Sequence, residues 1–421
     1  MDKPLRLQPR PSEPAPPPAA GPAGPILFAA PHRAMFLAGM LQAVLVFLPW
    51  SWEMLARSGL VAGPAWPWPP GWVHGLWASY GVFPFFVFGF LLTAMPRWQG
   101  LPDTPGAAAR PAWLLLCAGW LLFDGGLLVD QAGLRAGGLT LVLAGWVLAL
   151  GRLYPVAFKP GAARLHPASA WLALAAGAAG LLAWIGYALS GAPALARAGI
   201  AVGLWWLLAP LFMVVSHRMI PFFSASALPR YEAIRPDSAL VVLLAASFIH
   251  GACAAADHAA WAWPADLAGA ATAFWLSIRW QLRRSLAVPL LAMLHLGFLW
   301  LGVAWLLGGV NGLLQVSGLG TLGLAPQHAL TVGFFASMSL AMVSRVSLGH
   351  SGRPLVADTL TWRLALGLHA VAGLRVLAEL LPGTPQLLLT LSSLGWLAVC
   401  MTWAVRLVPV YLKARADGRP G

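Results

Sequence analysis

Apolar residues in this chain neither alternate with polar ones nor recur in a narrow stripe. They run on for about 20 residues at a time, and the polar residues gather in the gaps. A run of that length crosses a ~30 Å hydrocarbon core as a helix, and its continuity excludes the alternating strands of a membrane barrel. The pattern predicts about twelve spans, near 34–56, 74–96, 111–130, 138–158, 168–190, 196–216, 238–258, 265–281, 287–309, 328–346, 362–382 and 386–411. The expected fold class is an all-α integral membrane protein. Residues 1–30 are rich in Pro and Ala and read as a disordered cytoplasmic tail, 31–412 as the twelve-helix domain and 413–421 as a short basic tail.

Composition agrees. Of the 421 residues 59% are hydrophobic and 9% charged, with a mean hydropathy of +0.75, far from the balance of a water-soluble domain. A net charge of +13 would suit nucleic acid if the basic residues clustered, but they punctuate the ends of apolar runs. With the N-terminus inside, 22 of the 26 Lys and Arg fall on inner segments; Arg57, Arg135, Arg197 and Arg375 are left for the outer side or the membrane. Both termini are therefore expected in the cytoplasm, with the lipid bilayer as partner and no nucleic acid.

Cys117, Cys253 and Cys400 stand singly in apolar runs, which argues against disulfides, an iron–sulfur cluster or covalently attached haem. Paired carboxylates at hydrolase spacing, a serine elbow, a phosphate loop and a nucleotide fingerprint are all missing. The chemistry left is that of ten histidines. His74 and His328 open spans two and ten, which both run inward, so their imidazoles lie at matching depth at the outer mouths. His250, His295 and His369 lie roughly 18, 12 and 10 Å above the inner ends of spans seven, nine and eleven. His258 ends span seven on the outer side, and His32, His166, His217 and His350 lie at the inner surface. Neutral imidazole binds metals, and two facing helices with one His each ligate a haem axially; the plainer role is a hydrogen bond to a neighbouring carbonyl. Glu53, Asp124, Asp130, Arg375 and Glu379 are the other charged candidates. Arg375 and Glu379, four apart, are expected to neutralise each other.

Three stretches resemble signatures of the NnrS family: HALTVGFFASMSLAMVSRVSLGHSGRPL (328–355), GFLLTAMPRWQG (89–100) and HRMIPFF (217–223). The resemblance implies a haem- and copper-containing bacterial inner-membrane protein of nitric oxide metabolism and nitrosative stress tolerance, associated with denitrification. Nitric oxide and an electron donor are the partners it implies. Where family members open span two with a WHAHEMLFG-like motif, this chain keeps His74 but has Leu76 and Trp77 in place of the second His and the Glu. The segment HGLWASYGVFPFFVFGFLLTAMPRW is also similar to helix two of haem–copper oxidase catalytic subunits, whose His pairs with one on helix ten around a low-spin haem. The matching residues are His74 and His328. Pro326 stands where the oxidases bind their second haem, and their copper histidines have no counterpart, so oxygen reduction of that type is disfavoured.

These readings make His74 and His328 the expected axial ligands of a haem, b-type in character, and His250, His295 and His369 the candidates for copper. The alternatives are a metal-free, proton-coupled transporter using the three intramembrane histidines with Arg375–Glu379 as a gate, and a chaperone-like membrane protein serving other metalloenzymes.

Overall fold

The computed structural model describes residues 25–383 and 385–418, so residues 1–24 of the expected tail lie outside the described residues. Among them the only regular elements are helices. Eleven are long and apolar enough to cross a membrane: α1 (Pro31–Arg57), α2 (Pro70–Trp98), α3 (Gly106–Leu128), α4 (Ala132–Ala157), α5 (Leu165–Ser190), α6 (Pro193–Ala227), α7 (Asp237–Ala255), α9 (Pro289–Val316), α10 (Ala325–His350), α11 (Thr359–Leu380) and α12 (Gln386–Leu412). The remaining expected span, near 265–281, is α8 (Trp263–Arg279), which has 17 residues. It nonetheless traverses the bundle beside α7. Near its start Asp266 meets His250 in the outer half of α7, and just past its end the Trp280 indole donates to the Ile234 carbonyl, ahead of α7.

The parity of the helix count follows independently from how the first and last helices meet. Arg33, at the start of α1, donates to the carbonyls of Val410, Tyr411 and Lys413 at the end of α12. At the opposite end Ser58, just past α1, is 2.6 Å from Thr390 near the start of α12. First and last helices therefore run antiparallel, and the number of crossings between them is even. We call the end that holds Arg33 and Lys413 the inner end.

Local chemistry starts and stops these helices. Pro occupies the first turn of α1, α2, α6 and α9, where its missing N–H costs nothing. Asp358 caps α11 by accepting from the Thr361 N–H at 2.9 Å, and Gly191 ends α5 in the left-handed conformation at φ 69°. With lipid as apolar as leucine, packing between helices depends on close fit. At the α3–α4 crossing a Cβ on Gly138 would fall 2.5 Å from the Phe123 nitrogen and 2.7 Å from the Gly119 carbonyl oxygen, so only glycine fits.

Position in the bundle differs sharply among helices. The apolar cores of α2 and α10 are 89% and 83% buried, against 33–44% for α3, α4, α5, α7, α11 and α12. The two helices that open with His74 and His328 are thus the central pair. Each departs from α geometry just after its histidine, α2 in a π segment at Trp77–Val82 and α10 at Ala329–Ala336, and α6 carries a third at Val202–Leu208. Widened turns of this kind often mark functional sites.

Candidate functional site

His74 and His328 line one cavity of about 250 Å3 in the outer half of the bundle. The sequence brought them to the same depth, and the fold brings them to the same space. The walls are apolar and aromatic: Phe47 and Trp50 from α1, Val82 and Phe83 from α2, Val332 from α10, Trp396 from α12. All three π segments contribute to it, through Ala78, Ser79, Leu204 and Thr331 among others.

The two imidazoles are held differently. His328 Nδ1 lies 3.0 Å from the Leu324 carbonyl oxygen and must carry the proton that bridges them, which leaves Nε2 as a free acceptor. That is the arrangement by which metal-binding imidazoles are oriented. The His74 ring has no hydrogen-bond partner among the described residues. It stacks on Trp50 at 4.1 Å and 13° and meets the edge of Phe47 at 5.5 Å.

Two arginines also face this cavity, Arg57 and Arg375, and each is tied to a glutamate four residues away on its own helix. Arg57 Nε donates to Glu53 at 2.7 Å, and Glu53 accepts again from the Trp66 indole at 2.8 Å. Arg375 donates to Glu379 at 2.7 Å, the pairing expected from sequence, and Glu379 also accepts from the Leu324 N–H at 3.2 Å. Of the other acidic candidates, Asp124 accepts from Trp77 and Asp130 pairs with Arg135.

The histidines expected to hold copper are not brought together as a trio. His250 bonds to the buried Asp266 at 2.8 Å and lies on Trp205, whereas His295 bonds to Ser224 at 3.0 Å. Trp205 and Ser224 are 19 positions apart on α6, about five helical turns. His369 sits elsewhere, between the Trp300 indole at 3.1 Å and the Ser337 hydroxyl at 3.3 Å. Among the described residues no group of three or more His, Cys, Asp or Glu is placed to hold a metal ion. Matching depth is a weaker constraint than matching direction, and only the fold supplies the second.

Sequence reasoning missed what lies at the inner end. His166 Nε2 and His217 Nδ1 are 2.9 Å apart, and the rings of His32 and His350 are 4.7 Å apart. A cavity of about 750 Å3 opens beside them, lined by Arg97, Arg218, Arg235, Arg345, Arg415 and His350. The three stretches that resemble family signatures converge on it, through Thr93 to Trp98, Arg218 to Phe223 and Arg345 to Leu355. Those stretches held the clue: each carries an arginine in or beside an apolar run, where topology alone does not require it to be buried.

The model of the NnrS protein family matches residues 26–415. The chain belongs to the NnrS family. It is thereby a multi-pass membrane protein linked to the nitric oxide response, in a family whose members are generally metal-binding. No curated protein matches it.

Proposed function

We propose that the chain is a haem-binding protein of the bacterial inner membrane that acts in nitric oxide metabolism and nitrosative stress tolerance, with His74 and His328 as the residues that would hold the haem. The observation that carries this reading is that both imidazoles face one aromatic-walled cavity between the two central helices, each with a ring nitrogen uncommitted to the protein. Nitrogen donors on opposite helices suit haem iron, and the apolar walls suit a macrocycle. Arg57 and Arg375 also line the cavity, but each is paired to a glutamate, which leaves the two imidazoles as the cavity's open donors. At about 250 Å3 the cavity is below the size of a pocket for a drug-sized ligand, so Trp50 would swing from the face of His74 as the group enters.

A haem in this setting supplies one-electron chemistry. His328, anchored through Nδ1 to Leu324, keeps its orientation. His74, held by stacking on Trp50 and by the edge of Phe47, would be the less firmly oriented of the two donors. The concentration of Lys and Arg at the inner end supports a cytoplasmic placement of both termini.

The test is an optical spectrum of the detergent-purified chain, reconstituted with haem and compared with variants. A Soret band in the parent chain, lost in both His74→Ala and His328→Ala and kept in His350→Ala, is the expected result. A band that persists in both single variants, or a folded parent that takes up no haem, sinks the proposal.

A second reading has its own observation. Asp266, almost fully buried, is paired to His250, which lines an outer cavity of about 300 Å3 with Arg197, Asn311 and Gln315. Such a carboxylate–imidazole pair inside a membrane suits a proton path. Proton-coupled transport that is lost in Asp266→Asn, in a chain that binds no haem, would favour it.

A further inference from the structure

Arginines facing a common cavity repel one another, and each loses hydration as it is buried, unless carboxylates stand among them. The inner cavity departs from that requirement. Arg97 is paired to Asp103 and Arg415 to Asp417, each at 2.6 Å. Arg218, Arg235 and Arg345 have no carboxylate within 4.0 Å among the described residues. Arg345 is only 7% exposed; its guanidinium lies 4.0 Å over the Phe223 ring, and its hydrogen bond to Ser226 Oγ is long, at 3.5 Å. Arg218 repeats the pattern, 4.8 Å over Trp98 and 3.5 Å from that residue's carbonyl. Aromatic faces hold a guanidinium plane in place without neutralising it, so most of the N–H donors remain to be used.

If Arg345 served membrane topology alone, it would stand in water at a helix end, as Arg283 does. Burial of Arg345 beside an open space of about 750 Å3, within the size range of ligand pockets, calls for a counter-charge that enters from outside.

We propose that the inner cavity binds a multivalent oxyanion of the phosphate class, gripped by Arg218, Arg235 and Arg345. Guanidinium forks match phosphate oxygens two at a time, and three uncompensated cations suit an anion of two or more charges. The phosphate has two accessible sources. One is a lipid headgroup, reached past Phe222, which is 62% exposed at the rim; the other is a free pyrophosphate-like solute at the inner face.

The experiment uses the full chain in lipid nanodiscs. In one arm, discs of phosphatidylcholine alone are titrated calorimetrically with pyrophosphate at fixed ionic strength; in the other, phosphatidylglycerol is added and retained lipid is counted by native mass spectrometry. Saturable binding in the first arm identifies a soluble anion, and selective lipid retention in the second identifies a headgroup. In either arm Arg235→Gln and Arg218→Gln should weaken binding at least about tenfold each, while Arg283→Gln, outside the cavity, should not. Arg235 lies in the exposed connection before α7, so its substitution tests the site without threatening the fold. The proposal is overturned if the parent chain binds in neither arm, or if binding survives unchanged in both cavity variants. Haem absorbance in Arg235→Gln reports the outer site separately.

Discussion

The two ends of the bundle use arginine in opposite ways. At the outer cavity Arg57 and Arg375 each have a glutamate one helical turn away, so the charge is cancelled within the helix that carries it. At the inner cavity Arg218, Arg235 and Arg345 have no such neighbour, and charge remains for something else to cancel. The consequence is a division of chemistry. Neutral surroundings leave two imidazoles as the open donors of the outer site, which suits a metal-centred group. Net positive surroundings at the inner site suit an anion.

Exchanging the two arrangements should expose the difference. The largest effect is expected from Glu379→Gln, which strips the partly buried Arg375 of its counter-charge and weakens the acceptor of the Leu324 N–H. Breaking a largely desolvated pair in this way costs about 2 kcal/mol, between the values for exposed and fully buried pairs, and a stability titration should show it. A change below about 1 kcal/mol would mean that the outer arginine is solvated and that the two ends do not differ.

Arg345→Met should act in the opposite direction. It removes an uncompensated buried charge but keeps an apolar stem against Phe223, so the anion-free protein should gain about 1 kcal/mol. The same variant should lose any stabilisation that pyrophosphate or anionic lipid gives the parent. A marked loss of stability without anion would show that its charge is already balanced.

The smallest effect belongs to a pair outside the membrane. The side-chain hydrogen bond from Arg97 holds the Asp103 carboxyl below its ordinary range. Since that value is lowered in the folded state, the pair's contribution is present above the unfolded carboxylate range and fades as pH falls through the lowered value. Both side chains are more than half exposed, so Asp103→Asn should cost only a few tenths of a kcal/mol near neutrality and nothing in strong acid. A larger loss would mean that Arg97 depends on Asp103 and that the inner cavity carries more positive charge without it.

Much of this molecule was legible before any fold was seen, for a physical reason. In a bilayer the backbone must satisfy its own hydrogen bonds, so run length by itself specifies helices and their approximate ends. Depth follows from counting residues along those helices. That is why His74 and His328 were placed level with each other, and why Arg375 and Glu379, one turn apart, were paired correctly. The expected span at 265–281 corresponds to the 17-residue α8, shorter than the other eleven.

Direction around each helix axis was the part that required tertiary structure. A span that is apolar on all sides has no moment to say which face turns inward, so depth could not separate His250, beside Asp266, from His295, beside Ser224. For the same reason the sequence could not show that α2, α6 and α10 would turn Arg97, Arg218 and Arg345 into one cavity. Chain composition determined that this protein lives in a membrane as an all-helical, multi-pass bundle. Helix packing, which depends on side-chain shape at contacts such as Gly138 against Phe123, decided which polar groups meet.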